Sequence, residues 1–324
     1  MHFLVTGGAG YVGSHIVRAL QLRGDAVTVL DNFSTGHRWA VSECQIIEVD
    51  LRDSKTLAEK LHGQFFDGVF HFAAKSLVGE SNQNPLLYFQ NNVVGTGNLV
   101  EMAIKNRWGN FIFSSSAAVY GNPVTELLVE SHPKEPINFY GRSKLMVEQL
   151  LENVCDQNNF SAVCLRYFNA AGASRAGDIG ECHEPETHLI PNAFRAVSGK
   201  APNLTIHGDS YNTPDGTCIR DYIHVEDLAS AHLLAMDYLR ANRDFDVFNL
   251  GNGKGFSVKE VLRACEQASR QKIPYKIGPK RPGDPARLVA DSTKATKILG
   301  WKPQYPDISA IVNDAWNWEK SCPN

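Results

Sequence analysis

Phe3-Leu-Val-Thr-Gly-Gly-Ala-Gly-Tyr-Val-Gly13 is the stretch on which the fold turns. Phe3–Thr6 reads as a buried strand, and a helical pattern, Val12–Leu22, starts before the glycines have ended. Gly7, Gly8, Gly10 and Gly13 satisfy both a Gly-x-Gly-x-x-Gly and a Gly-x-x-Gly-x-x-Gly spacing. Glycines there permit a tight turn, close backbone approach to phosphates and close packing of helix on sheet. A strand, this loop and a helix N-terminus together make a seat for a dinucleotide pyrophosphate. Asp31 ends a second strand eighteen residues after Gly13, where an acid accepts hydrogen bonds from the adenosine ribose diol. A carboxylate at that point repels a 2′-phosphate, which favours NAD over NADP.

Outward from that stretch, short apolar runs recur: Ala26–Leu30, Ile46–Val49, Gly68–Phe72, Phe111–Ser114 and Ala162–Arg166. Helical patterns lie between most of them, at Ser54–Leu61, Pro85–Lys105 and Tyr140–Val154. Alternation of this kind predicts an α/β fold, a doubly wound parallel sheet of Rossmann type covered on both faces. After about residue 175 Gly, Pro, Asp and His become frequent, through Gly177–Pro191, Gly208–Gly216 and Gly278–Pro285. Residues 1–175 are thus expected to bind the dinucleotide and residues 176–324 to form mainly a substrate lobe. A later apolar run, Val247–Leu250, is expected to return to the sheet.

Net charge is -3 and no Lys/Arg block occurs, so nothing recommends nucleic acid or an anionic membrane as a partner. No apolar run approaches the ~20 residues that cross a bilayer. The opening His2-Phe-Leu-Val-Thr6 is a strand pattern and not a signal sequence. Seven scattered cysteines without a Cys-x-x-Cys pair fit reduced thiols. The expectation is a cytoplasmic protein.

The chemistry rests on Tyr140-Gly-Arg-Ser-Lys144. On a helix a phenol and an ammonium four residues apart share a face. A phenol titrates near ~10, and an adjacent ammonium together with a positive nicotinamide ring lowers it toward working pH. Ser114-Ser-Ser116 follows a strand in the same crevice and offers a hydroxyl to the reacting oxygen. Asp50 and Phe72-Ala-Ala74 close two further strands along that edge.

These residues resemble the extended branch of the short-chain dehydrogenase/reductases and, within it, the UDP-glucose (UDP-galactose) 4-epimerases. The resemblance covers nearly the whole chain: TGGAGYVGSH, HFAA, VGES, NNVVGT, FIFSSSAAVYG, YGRSKLMVEQ, LRYFNAAGA, ETHLIPNA, DGTCIRDYIHVEDLA and RPGDPARLVAD. The last three motifs lie in the substrate lobe and are the more selective. The resemblance implies that Tyr140 is the base on the sugar 4-hydroxyl, Lys144 holds the nicotinamide ribose and Ser116 bridges to the 4-oxygen. It implies NAD on the glycine loop (Gly7, Gly10, Tyr11, Val12, Gly13) and on Asp31, Asn32, Asp50, Leu51, Phe72, Ala73, Ala74, Asn91, Ser114 and Tyr167. UDP would rest on Asn169, His188, Leu189, Thr205, His207, Arg220, Arg281 and Asp284, with two arginines matching a diphosphate. The implied reaction is a closed redox loop: C4 is oxidised to a ketone at the expense of NAD, the sugar turns over and C4 is reduced from its other face. A UDP-hexose substrate and a homodimer through the helix bearing Tyr140, with Leu145, Val147, Leu150 and Leu151 as its apolar surface, are implied likewise.

Departures bear on specificity. Relatives often carry lysine where this chain has Ser76, with Lys75 one place earlier, so a lysine contact to cofactor phosphate is not carried over. The variable position beside the hexose falls at Leu288, next to Arg287; leucine is smaller than tyrosine, which extends the expected range to UDP-N-acetylhexosamines. A 4,6-dehydratase on the same scaffold needs an acid after the serine, and Ser116-Ala-Ala118 has none. Epimerisation of a UDP-pentose or UDP-uronic acid stays open as an alternative, as does a non-catalytic dinucleotide sensor. Cys182-His-Glu-Pro-Glu-Thr-His188 holds five potential ligands, yet it lacks His-Glu-x-x-His spacing and Pro185 breaks any helix, so no metal is expected.

Overall fold

The computed structural model describes residues 1–324 except Asn158, Pro202, Pro282, Gly283 and Asn324, so part of the RPGDP motif lies outside the described residues. Fourteen strands occur: β1 His2–Thr6, β2 Ala26–Asp31, β3 Gln45–Glu48, β4 Gly68–His71, β5 Asn110–Ser116, β6 Ser161–Tyr167, β7 Asn169–Ala171, β8 Leu204–His207, β9 Ile219–Arg220, β10 Tyr222–His224, β11 Phe245–Leu250, β12 Phe256–Ser257, β13 Tyr275–Gly278 and β14 Arg287–Leu288. The helices are α1 Tyr11–Leu22, α2 Ser54–Leu61, α3 Val78–Gln83, α4 Pro85–Tyr88, α5 Gly95–Lys105, α6 Phe139–Gln157, α7 Leu189–Val197, α8 Val225–Ala241, α9 Val258–Ser269 and α10 Ile308–Ser321.

Seven strands form one sheet in the order β11-β6-β5-β4-β1-β2-β3. Every pairing in it is parallel, the arrangement that strand–helix alternation predicts. Side chains alternate between the two faces. Phe3, Val5, Phe70, Ile112, Val163 and Leu165 pack with α1 and α8 through Ile16, Leu20, Ala231, Ala235 and Met236. Leu4, Val69, Phe111, Phe113 and Cys164 point the other way, onto Leu57, Leu99, Val100, Val147 and Leu151 of α2, α5 and α6. Such double burial is why these strands read as continuous apolar runs. The strand order reverses between β1 and β4, and an open α/β sheet binds ligands at the carboxyl ends beside that switch.

The C-terminal half is interleaved with this sheet: β11 pairs with β6, and α8 covers one face. Its own core gathers α7, α9, α10 and β8 through Phe194, Ile206, Val261 and Ile311. One predicted helix is broken. Pro85–Lys105 divides into α4, a π-helical turn at Phe89–Val94 and α5. The π turn carries Asn92, whose buried amide accepts from Lys75 N at 2.8 Å and donates to Lys75 O at 2.9 Å. Widened turns of this sort concentrate at functional sites.

Candidate active site

The glycine loop separates into positions the protein itself requires and one that it does not. Gly7 has φ +67°, and a Cβ there would lie 2.5 Å from Ala73 N. At Gly13 a Cβ would lie 2.2 Å from the Gly7 carbonyl oxygen. At Gly10 it would meet only that oxygen, at an ordinary 3.4 Å. Gly10 is also the N-cap of α1, with no side-chain cap and no acid in the first turn, whereas α2, α9 and α10 are capped by Asp53, Ser257 and Asp307. Uncapped N–H groups beside open space suit an anion, so the chain's own geometry fits a pyrophosphate.

Asp31 is buried, accepting from Ala9 N at 3.0 Å and Phe33 N at 2.8 Å. Burial pushes its carboxyl up and these N–H groups oppose the rise. Asn32 donates to Asp50 at 2.9 Å, and Arg52 grips the same carboxylate from two nitrogens, which holds Asp50 well below the usual carboxylate range. Leu51 sits in the core with its carbonyl taken by Asn98. Tyr11 turns its hydroxyl away from the loop, onto the Gly172 carbonyl at 2.7 Å. Phe72, Ala73 and Ala74 line the end of β4, half-buried, and the Asn91 amide donates to Asn92.

At the end of β5 the catalytic candidates meet. Ser116 Oγ accepts from Ala118 N at 3.1 Å and lies close enough to the Tyr140 phenol to lower its pKa. Ser114 Oγ and the Tyr167 hydroxyl are 2.6 Å apart, and Lys144 Nζ donates to the Ser114 carbonyl at 2.7 Å. Lys144 is buried, and its ammonium lies 4.8 Å from the Phe113 ring centroid and 5.8 Å from that of Tyr140. Burial lowers its pKa to about 7, opposed by Glu148. The expectation that lysine lowers the tyrosine needs correction for the protein's own field. Desolvation dominates and raises the Tyr140 phenol, and only the Ser116 hydroxyl pulls it down. A lysine that itself loses charge on burial supplies little field.

Behind this trio lies a network that sequence reading missed. Glu148, one turn beyond Lys144, pairs with Arg166 at 2.6 Å and accepts from Ser115 Oγ at 2.5 Å, all three buried. Arg166 also donates to the Tyr120 hydroxyl, which donates to Asn249. These bonds fix α6 on β5 and β6 and hence the placement of Tyr140. The i,i+4 spacing from Lys144 was the available signal. Asn92 was missed too; besides Lys75 it reaches Ser143 Oγ at 3.0 Å, tying the π turn to α6.

In the lobe the structure gathers most of the substrate candidates. Arg220, buried, pairs with Asp284 and donates to Ile219 O at 2.7 Å. His207 lies at the end of β8, its pKa lowered by burial and then by nearby Arg281. Thr205 is on the same strand, and Leu288 pairs in register with Arg220 while packing against the cluster of Ala117, Val119, Tyr120 and Leu128. Asn169 donates its N–H to Asp221 O at 3.0 Å, and Leu189 opens α7. His188 is drawn elsewhere: its Nδ1 is bonded to Glu181. Tyr211 is an omission of the sequence reading; its buried hydroxyl has no partner among the described residues, and its ring lies under Lys280, in the field of Asp284, Arg220 and Arg281. Asp221 is a second, accepting from Asn252, Gly253 and Ala290 N–H groups, which pins the loops around β14.

Residues 3–251 match the model of the NAD dependent epimerase/dehydratase family. The chain belongs to that family. A UDP-glucose 4-epimerase of Halalkalibacterium halodurans is 49% identical over 324 residues, which is 100% of this chain and 97% of that protein. A UDP-glucose 4-epimerase crystal structure superposes with TM-score 0.97 at 46% identity, covering 100% of this chain and 99% of that one. The UDP-glucose 4-epimerase of Bifidobacterium longum, solved with NAD+ and UDP, gives TM-score 0.94 at 37% identity, again over 100% and 99% of the two chains.

Proposed function

We infer that this chain is an NAD-dependent isomerase that interconverts UDP-galactose and UDP-glucose by inverting C4 through a transient 4-keto sugar. The observation that carries it is the buried Lys144 bonded to the Ser114 carbonyl and facing the Tyr140 ring at 5.8 Å, at the sheet edge that also bears the uncapped glycine loop. Gly7, Gly10, Gly13, Asp31, the end of β4 and Lys144 would hold NAD, which when bound supplies the hydrogen acceptor and donor for C4 and a positive ring near the phenol. Tyr140 Oη takes the 4-hydroxyl proton and returns it once the sugar has turned. Ser116 Oγ positions the reacting oxygen. Arg220 and Arg281 grip the diphosphate while the hexose rotates, so the firm contacts fall on the nucleotide and few on the sugar. The test is purified protein with UDP-galactose and no added reductant, followed by coupled oxidation of UDP-glucose. Turnover is expected, and its absence in protein shown to carry NAD would overturn the reading.

The finer points are proposals of the same kind. Cofactor is assigned to residues 1–175 and UDP-sugar mainly to 176–324. UDP-N-acetylhexosamines are included as substrates because the half-buried Leu288, packed against the cluster of Ala117, Val119, Tyr120 and Leu128, has less bulk than an aromatic. A homodimer through α6 is proposed on a revised surface: Val147 and Leu151 face the home sheet, while Met146 is exposed, as are Leu86, Phe89 and Val94 on the adjacent α4 and π turn. A monomer by light scattering at micromolar concentration would reject it. A cytoplasmic location is supported by seven free cysteines, and no described helix is long and apolar enough to cross a membrane.

A further inference from the structure

The segment for which sequence spacing gave no metal is rearranged by the fold. Cys182 turns its sulfur to Cys322, and Glu184 is exposed beside Arg195. In their place Glu181 joins, and one ligand atom from each of Glu181, His183, Glu186 and His188 falls within 4.8 Å of all the others. We propose that these four side chains form a zinc site that pins the segment between the glycine-loop helix and the C-terminal helix.

Four features support it. The first is spacing: His183 Nδ1 lies 3.1 Å from Glu181 Oε1 and 3.8 Å from Glu186 Oε2. Tetrahedral ligands about 2.0–2.2 Å from zinc sit about 3.4 Å from one another, so the wider pairs must draw in and the close His188–Glu181 contact must open to admit the ion. The second is donor chemistry. Two imidazoles and two carboxylates suit a divalent transition ion, and hard octahedral magnesium is a poor match. With neutral imidazoles the two carboxylates, 6% and 3% exposed, carry the charge a dication cancels.

The third is orientation of the ligands. Glu186 Oε1 accepts from Thr187 N at 2.7 Å and His188 N at 2.8 Å, which leaves Oε2 toward the site. The Glu181 carbonyl accepts from Trp318 Nε1 at 2.8 Å, and the Tyr11 ring lies edge-on to His183. The fourth is access, since the His183 and His188 side chains are 31% and 51% exposed. Tyr11 opens α1 and Trp318 belongs to α10, so a bound ion would join the two through an eight-residue stretch.

The test uses the full chain with its NAD, stripped with a chelator and titrated with zinc chloride alone. Metal content after dialysis, affinity against a fluorescent chelator and the thermal midpoint are the readouts. One zinc per chain, a raised midpoint reversed by chelator, and at least a hundredfold weaker uptake in both Glu181→Gln and His183→Gln are expected. Cys182→Ser is expected to keep uptake. No stoichiometric zinc, an equal shift with magnesium, or uptake undiminished in His183→Gln would overturn the proposal. The His183 variant keeps the test valid if Glu181→Gln does not fold, because that imidazole reaches solvent. None of these readouts depends on turnover, so failure here leaves the epimerase reading untouched.

Discussion

At the end of the crevice proposed for the nicotinamide, Lys144 is buried with a carbonyl oxygen as its hydrogen-bond partner, and its pKa falls to about 7. At the UDP end, Arg220 is just as enclosed but is paired with Asp284 and with the Ile219 carbonyl. The first arrangement leaves charge uncompensated, and it responds when a proton leaves a nearby oxygen. The second is compensated before any ligand arrives, and it exchanges one anion for another with little change in field. Chemistry and grip are therefore built from the same residue types in opposite electrostatic states. Interactions of the first kind change between ground and transition state and show in kcat, while those of the second are uniform and show in KM.

The largest expected effect comes from removing the proton acceptor. Tyr140→Phe keeps the ring and deletes the oxygen that Ser116 contacts, and kcat on UDP-galactose should fall by about 10²–10⁴ with KM nearly unchanged. A variant that instead loses affinity and keeps kcat would put Tyr140 at the grip end and break the comparison. Arg220→Met comes next. It frees Asp284 beside the diphosphate, so KM should rise on the order of a hundredfold while kcat moves by less than about threefold. A fall in kcat alone would show that Arg220 acts on the reacting sugar.

The two ends also differed in how far their residues were legible in the sequence. The parallel sheet, the glycine loop and Asp31 could be read because each rests on local spacing: apolar runs, a turn and a strand end. Tyr140 and Lys144 were legible as a helical pair. Glu148–Arg166 was not, since it joins α6 to β6 across the sheet, and nothing local says that a charged residue at the end of an apolar strand will be buried. The π turn was hidden for a similar reason, because an Asn92 clamp on Lys75 is a tertiary demand that breaks a continuous helical pattern. In the lobe, residue types were legible but partners were not; nothing in the local spacing says that His188 Nδ1 will bond Glu181.

Lys144 supplies a third, smaller effect. Its pKa drops from 10.5 to about 7 on folding, through burial. Below pH 7 both states hold the proton and the burial penalty is fully present. Between about 7 and 10.5 the unfolded chain binds more protons, so stability gains with pH. Wild type should therefore close on Lys144→Met by roughly 1.4 kcal/mol per pH unit from pH 8 to 9 in urea unfolding. A flat difference across that unit would mean that the ammonium is solvated and that the nicotinamide end is compensated after all.

The smallest effect tests whether the loose part of the site is as loose as the division of labour requires. Leu288 pairs in register with Arg220 and packs against the cluster of Ala117, Val119, Tyr120 and Leu128 that follows Ser116, so we place it between the grip and the hexose. Leu288→Tyr adds bulk where the hexose must turn, and the acetamido group of a UDP-N-acetylhexosamine is the first thing it would crowd. The ratio of acetylated to plain turnover should fall about fivefold, less than a pocket methylene often contributes, because Leu288 is only half-buried. The change should appear in kcat/KM for the acetylated sugar with UDP-galactose kinetics held. An unchanged ratio would place the size limit elsewhere on the rim. Equal loss on both sugars would show that the turning hexose, and not its substituent, meets residue 288, and the grip would then extend further into the sugar pocket than the paired arginine suggests.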